Sequence, residues 1–315
     1  MFGKKIILFT ILFCGLVLSK DLCAVSVILS QRYDEVFVWQ NRTDSAFFAT
    51  QIEYSRLVDY EAYETSWGRD VLTRIEAALR INRDAEPETL RLYRTAVLEG
   101  MAGTVLLKRN SLIRGVARMN ESQRLWERLL ESEYSDEANF ALGLAEYYRI
   151  TLLSRSPGSD RLNAVLARMR SAISKDNNIA LNLSLSYIWV LQEQRLWDEA
   201  QGIIGRFLTK FPDNTMMLRA AQTIAADKEN IPEIKRIARS LAEISLRRNP
   251  VNYSDLLSAR RALIFAMDLA EERRAACLLA QETVAFSQII DAESRRISWV
   301  RKHLEFIRRF AAGCR

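Results

Sequence analysis

Residues Leu191 to Asn214 read LQEQRLWDEAQGIIGRFLTKFPDN. Ala200, Ile204 and Leu208 recur at the helical period, which predicts a helix over 196–210 with one buried stripe. Pro212-Asp213-Asn214 then ends it. Similar turn chemistry stands at Asp176-Asn177-Asn178 and at Asn249-Pro250-Val251-Asn252. Asn177 to Pro212 is 35 residues, Pro212 to Pro250 is 38, and Pro250 to the Gln288 turn is 38. With that offset Ala200 matches Ala238 and Val165, Ile204 matches Ala242 and Met169, and Leu208 matches Leu246 and Ile173. A unit repeating at this length exposes an apolar face that only its neighbour covers, so stacking builds one continuous core.

The same period extends through most of the chain, which contains only five prolines. It predicts helices near 46–80, 88–108, 111–132, 136–154, 160–174, 179–193, 196–210, 215–227, 232–248, 254–269, 271–287 and 292–311. Asp136, Asp160, Asp213 and Ser254 are the expected N-caps, with Pro87 and Pro232 in first turns. Short connections force consecutive helices to pack antiparallel. Val25 to Trp39 is partly β-branched and reads as an arm without regular structure. The expected fold class is therefore all-α, a solenoid of antiparallel helix pairs.

Within this pattern Leu191–Asn214 resembles the centre of a tetratricopeptide repeat. Trp197-Asp198-Glu199-Ala200 stands where that family has an aromatic, two acids and the helix-packing alanine, and Pro212 falls at the closing position. Phe140-Ala141-Leu142-Gly143-Leu144-Ala145-Glu146-Tyr147-Tyr148 is similar to the first helix of such a repeat, with Gly143 as the small residue of close approach. Ile188 departs from the pattern where a small residue belongs, and Ser154 to Asp160, with Pro157-Gly158, is an insertion. The likeness covers 136–214, is degenerate over 215–290, and leaves 46–132 as helix pairs only. It implies a right-handed, TPR-like solenoid whose first helices line a concave groove. Glu137, Phe140, Leu144 and Tyr147 from one pair, and Asn182, Leu185, Trp189 and Gln192 from the next, then face a protein or peptide partner. The alternative for Phe140 and Trp189 is core between pairs.

Met1-Phe2-Gly3-Lys4-Lys5 followed by the apolar run Ile6–Ser19 reads as a secretory signal peptide, with cleavage after Ser19 or Ser26. A spanning helix needs about 20 apolar residues, and Lys20-Asp21 interrupts this run. Phe13 before Cys14 and Lys20-Asp21-Leu22 before Cys23 argue against lipoprotein processing. Loss of residues 1–26 lowers the formal charge from +6 to about +4, and acids are interleaved with arginine throughout. That excludes the clustered basic face of a nucleic-acid binder. The surviving Cys277 and Cys314 form an even pair in an oxidising compartment. A turn near residue 289 puts Cys277 beside about residue 301 and Cys314 roughly 18 Å farther on, so two separate thiols are expected.

The only histidine, His303, lies in Arg301-Lys302-His303-Leu304 and reads as an ordinary solvated or partly buried side chain. Histidine triads and HExxH sites are excluded, and no GxSxG, P-loop, dinucleotide glycine pattern or CxxC occurs. Neither a metal nor a cofactor is expected. One enzyme class survives, a helical toroid hydrolysing carbohydrate with paired carboxylates such as Glu137, Glu146 or Asp160. On the last helix Ile297, Val300, Leu304, Ile307 and Ala311 share an arc opposite Arg295, Arg301, Lys302, Arg308 and Arg309. This is either a C-terminal cap or a surface for anionic membrane or an acidic partner. The expected organisation is a signal peptide over 1–26, an arm over 27–45, N-terminal helix pairs over 46–135, TPR-like repeats over 136–291 and a capping helix over 292–315. The expected role is a non-enzymatic protein-binding or scaffold module of the periplasm or cell envelope.

Overall fold

The structure is a computed structural model that describes residues 22–33, 41–153, 159–174 and 178–314. Among the described residues the protein is all-α and without strands. Its helices are α1 (Leu22–Ser30), α2 (Arg42–Asp59), α3 (Ser66–Ile81), α4 (Glu88–Lys108), α5 (Leu112–Arg128), α6 (Ser135–Leu153), α7 (Ser159–Ile173) and α8 (Asn178–Glu193). They continue with α9 (Trp197–Lys210), α10 (Thr215–Asp227), α11 (Ile231–Arg247), α12 (Tyr253–Leu269), α13 (Arg273–Phe286), α14 (Ala292–Arg296) and α15 (Ser298–Ala312). Two compact units result. The first runs to Val58 and resumes over Gly68–Val190, and the second takes Asp59–Trp67 and Leu191–Arg315.

The first unit is organised on α4, where every residue from Ala96 to Leu107 is buried, as are Tyr93 and Arg94. α4 packs on α5 through glycine. A Cβ added at Gly103 would stand 2.6 Å from Met119 Sδ, and one at Gly115 would stand 2.6 Å from Leu107 Cγ and 3.0 Å from the Leu107 backbone nitrogen. No larger residue fits so close a crossing without displacement. At the other end of α4, Tyr93 stacks on Tyr134 with centroids 4.3 Å apart and meets Trp126 edge-on at 5.8 Å. Arg94 is buried over the Phe47 ring and pairs with Asp44. α6 and α7 follow, joined where Gly143 admits Met169: a Cβ at Gly143 would lie 2.9 Å from Met169 Cγ.

In the second unit consecutive helices share one core. Leu218 and Ala225 of α10, Ile234, Ile237, Ala238, Leu241 and Ile244 of α11, and Ala259, Leu263 and Ala266 of α12 form a buried cluster. Their starts are set by side-chain caps. Asn214 accepts from Met217 N at 3.0 Å, Asn230 from Glu233 N at 3.3 Å, and Asn252 from Asp255 N at 3.2 Å. The caps are therefore asparagines one or two residues from the expected Asp213 and Ser254. Each presents the same acceptor oxygen to the first-turn amide. Of the repeat stripe, Val165, Met169, Ile173, Ala200, Ile204 and Ala238 are buried, while Leu246 is exposed and Ser245 buried in its place. The inward face of α11 has rotated by one position at its end.

Several expectations are corrected. The helix over 46–80 is two helices, because Tyr60–Thr65 leaves the helical path, with Glu61 at φ 54°. Residues 22–30 of the expected leader and arm form α1, in which Val27, Ile28 and Leu29 are buried. The terminal helix is broken at Ile297 between α14 and α15. Cys277 and Cys314 do form a disulfide, with Cα atoms 5.5 Å apart. The expected turn near 289 is a longer connection running through a 3₁₀ turn and α14. That length shifts the partner of Cys277 from about residue 301 to the end of α15. Closing a loop with a sequence separation of 37 restricts the unfolded chain by about 4 kcal/mol. The apolar run Ile6–Ser19, residues 34–40, residues 154–158 of the insertion Ser154 to Asp160 and most of the turn at 176–178 lie outside the described residues.

The two glycine contacts predict different tolerances. Gly115→Ala presses on the α4 backbone at Leu107 and should cost about 1–3 kcal/mol. Gly143→Ala meets the Met169 side chain at Cγ, with no backbone atom nearer than the Val165 carbonyl at 3.8 Å, and should cost less than Gly115→Ala. Urea denaturation of the two variants beside the parent measures both.

Candidate functional site

The eight residues assigned to a concave groove occupy α6 and α8. Seven of them, Glu137, Phe140, Leu144, Tyr147, Asn182, Leu185 and Gln192, are buried, and Trp189 is half-buried. Phe140 meets Tyr187 of α8 edge-on at 6.5 Å, and Gln192 donates to the Ala220 carbonyl at 2.8 Å. As they stand these side chains pack helix on helix. They do not line an open surface, because the apolar faces close over the aromatics and bring the polar members inside with them. Of the carboxylates considered for hydrolysis, Glu146 is paired with Arg149 and Arg161 at 3.3 and 3.0 Å, and Asp160 is exposed.

The densest polar constellation is one the sequence did not reveal. It is built in the second unit around Asp59, whose carboxylate accepts from Thr215 Oγ1 at 2.9 Å and from Arg248 Nη1 at 2.6 Å. Its backbone oxygen accepts from Asn252 Nδ2 at 3.2 Å. Next along the chain, the Tyr60 carbonyl accepts from Ser254 Oγ at 3.0 Å, and the Tyr60 hydroxyl donates to the Pro250 carbonyl at 2.8 Å. Tyr60 also meets Trp67 edge-on. Asn252 donates to Asp255 as well, at 2.9 Å. Arg219 Nε stands 3.1 Å from Asp255 Oδ1, off the line of an N–H···O hydrogen bond, and its Nη2 is 3.9 Å from Asp59. Both carboxylates are fully buried. Asp59–Trp67 is thus a strap held by α10, α11 and α12, with Glu64 accepting from Ser298 N at 2.8 Å at its far end.

Burial sets the protonation of this cluster. It pushes the Asp255 carboxyl up, against the pull of Arg219 and with the repulsion of Asp59, to about 6. Burial pulls Arg219 down, but Asp255 and Asp59 outweigh it and its pKa ends raised. His303 lies on the inner face of α15 with Val300, Leu304 and Ile307, all buried. The ring is more deeply buried than the solvated or partly buried side chain expected, for position 303 adjoins the apolar arc of its helix. Desolvation, then Arg261 and Lys302, push its pKa down to about 3. Among the described residues neither ring nitrogen has a hydrogen-bond partner, and Trp299 packs edge-on at 5.0 Å. Asp59, Asp255 and His303 are buried, while Arg219 and Arg248 keep a small exposed fraction.

The surface offers the other kind of site. Phe265 and Leu269, 45% and 46% exposed, lie one turn apart on α12. In sequence they are flanked by Arg261, stacked on Phe306 at 4.5 Å, by the exposed acids Glu271 and Glu272, and by Arg273, which bonds Asp268 at 2.5 Å and lies over Phe310 at 4.5 Å. On α15 the inward arc of Val300, Leu304 and Ile307 is buried, while Trp299 is 37% exposed. In the first unit Leu112, Ile113 and Val116 are exposed at the start of α5. Among the described residues no group of three His, Cys, Asp or Glu side chains could hold a metal ion. The chain matches no protein family, no curated protein and no solved structure.

Two stability predictions follow from the cluster. Asp59→Ala leaves Arg248 buried without its counter-charge and should cost about 3–5 kcal/mol in denaturant unfolding. For His303 the folded pKa is depressed, so its neutral form contributes stability above about pH 6.5 that is lost as pH falls toward 3. Asp255, with its pKa raised, works the other way: its contribution is present below about 3.8 and lost as pH rises through about 6. His303→Leu removes only the first effect. Its stability relative to the parent should therefore improve from pH 7.5 to pH 4.5, measured as the difference in urea midpoints.

Proposed function

We propose that this chain is a non-enzymatic protein-binding or scaffold module, a right-handed TPR-like solenoid of antiparallel helix pairs, exported to the periplasm or outer envelope. The observation that carries the reading is the order of packing. α4 packs on α5, α5 on α6 and α6 on α7 in the first unit, and in the second α9 on α10, α10 on α11, α11 on α12 and α12 on α13, with α15 against both α12 and α13. Packing of successive helices in this way is what a repeat array uses to extend a surface. The Gly143–Met169 approach and the turn spacing support the repeat likeness. The Cys277–Cys314 bridge suits an oxidising compartment, in keeping with the leader-like start.

The partner surface that the geometry favours is Phe265 and Leu269 on α12, framed by Arg261 and Arg273. An exposed phenylalanine and leucine one turn apart on a helix make an apolar patch that a partner can cover. A photo-crosslinker at position 269 identifies the partner, and the purified pair then gives the test. Phe265→Asp should weaken that complex at least tenfold while leaving the unfolding midpoint unchanged. An unchanged affinity removes this face from consideration. Turnover of a substrate that is abolished by replacing a single acid such as Glu146 or Asp160 overturns the non-enzymatic reading.

A further inference from the structure

The tight turn between α4 and α5 makes a rigid tip on the first unit. The chain reverses over Arg109–Ser111, with Asn110 at φ 60° and Ser111 N donating to the Leu106 carbonyl at 2.8 Å. Directly after it, Leu112, Ile113 and Val116 are 48%, 88% and 48% exposed. An isoleucine so far out, with two apolar neighbours on the same turn and a half, is more than the scattered exposure ordinary to a surface. The glycine crossing at Gly103 and Gly115 holds the α5 start against α4, so the tip is presented by a stiff support.

Basic residues cluster in the sequence at the tip. From Gly100 to Asn120 the sequence holds Lys108, Arg109, Arg114 and Arg118 and no acidic residue. Arg118 is engaged with Glu99 and Glu76, while Arg114 is exposed beside Ile113. The apolar face also stops early. Farther along α5 the outer positions are Asn120, Gln123, Arg124 and Glu127, so a helix docked lengthwise would have nothing to grip beyond the tip. A short apolar point with an exposed arginine beside it suits shallow entry into an anionic lipid interface. Among the described residues no helix is long and apolar enough to cross a membrane, so the contact is peripheral.

We infer that the α4–α5 tip, through Leu112, Ile113, Val116 and Arg114, is a peripheral docking point for an anionic phospholipid surface. This contact is separate from the partner face on α12 of the second unit, and either stands without the other. The test is hydrogen exchange of the full chain mixed with phosphatidylcholine vesicles, with and without phosphatidylglycerol at roughly 30 mol%. Because the readout is local to residues 108–118, membrane affinity of the leader does not confuse it. Added protection over 108–118 is expected with anionic vesicles only. Ile113→Asp should abolish that protection and weaken tip-dependent binding about tenfold or more, and Arg114→Gln should weaken it about fivefold. Both side chains are exposed, so neither variant should unfold the protein. Four results each overturn the inference: no protection at 108–118, equal protection by neutral vesicles, indifference to Ile113→Asp, or protection of the tip by a protein partner and not by lipid.

Discussion

The second unit depends on keeping the Asp59 carboxylate out of water. A buried carboxylate is tolerable only when its oxygens are matched by donors, and here Thr215, Arg248 and Arg219 come from the starts and end of α10 and α11. The demand for matching fixes where those helix ends stand. Asn252 extends the arrangement by capping α12, holding Asp255 and donating to the Asp59 backbone. Apolar packing by Ile234, Ile237, Leu241 and Leu263 supplies the bulk of the burial. Burial of this kind is non-directional, whereas the ionic cluster specifies which segment, Asp59–Trp67, closes against these helices.

The first unit solves its packing by another route. Gly103, Gly115 and Gly143 allow helix backbones to approach, and the aromatic group of Tyr93, Trp126 and Tyr134 fills the space that remains. Its buried charges are likewise paired: Arg94 with Asp44, and Arg118 across Glu99 and Glu76. Burial lifts the Glu99 pKa in spite of Arg118. α4 consequently has little freedom to shift, and whatever is displayed at its end is displayed at a set angle.

The candidate site was poorly legible in the sequence for a specific reason. Family-like register assigns a helix face by analogy, and in α6 and α8 that face is an interior. Phe140, Leu144 and Tyr147 are spaced as readily for a core as for a groove. Glu137, Asn182 and Gln192 look like surface residues in a sequence, yet they are buried here. Asp59 and Asp255 are 196 positions apart, and neither stands in a motif that points to the other. His303 was the nearest miss, since its spacing from Val300, Leu304 and Ile307 already placed it on the inward arc. The surrounding Arg301 and Lys302 concealed that.

By itself the sequence determined the all-helical class, most helix positions and the inward stripe of α7 and α9, because these rest on local period and turn chemistry. The tertiary structure alone decided the break at Tyr60–Thr65, the pairing of Cys277 with Cys314 and the burial of the supposed groove. Each of those is settled by contacts between residues distant in the chain, where burial and charge matching outweigh the helical preference of the local segment. Nothing in the stretch between Asp59 and Trp67 ends a helix as proline or glycine would; the path bends because Asp59 and Tyr60 find their partners at Thr215, Arg248, Asn252 and Ser254.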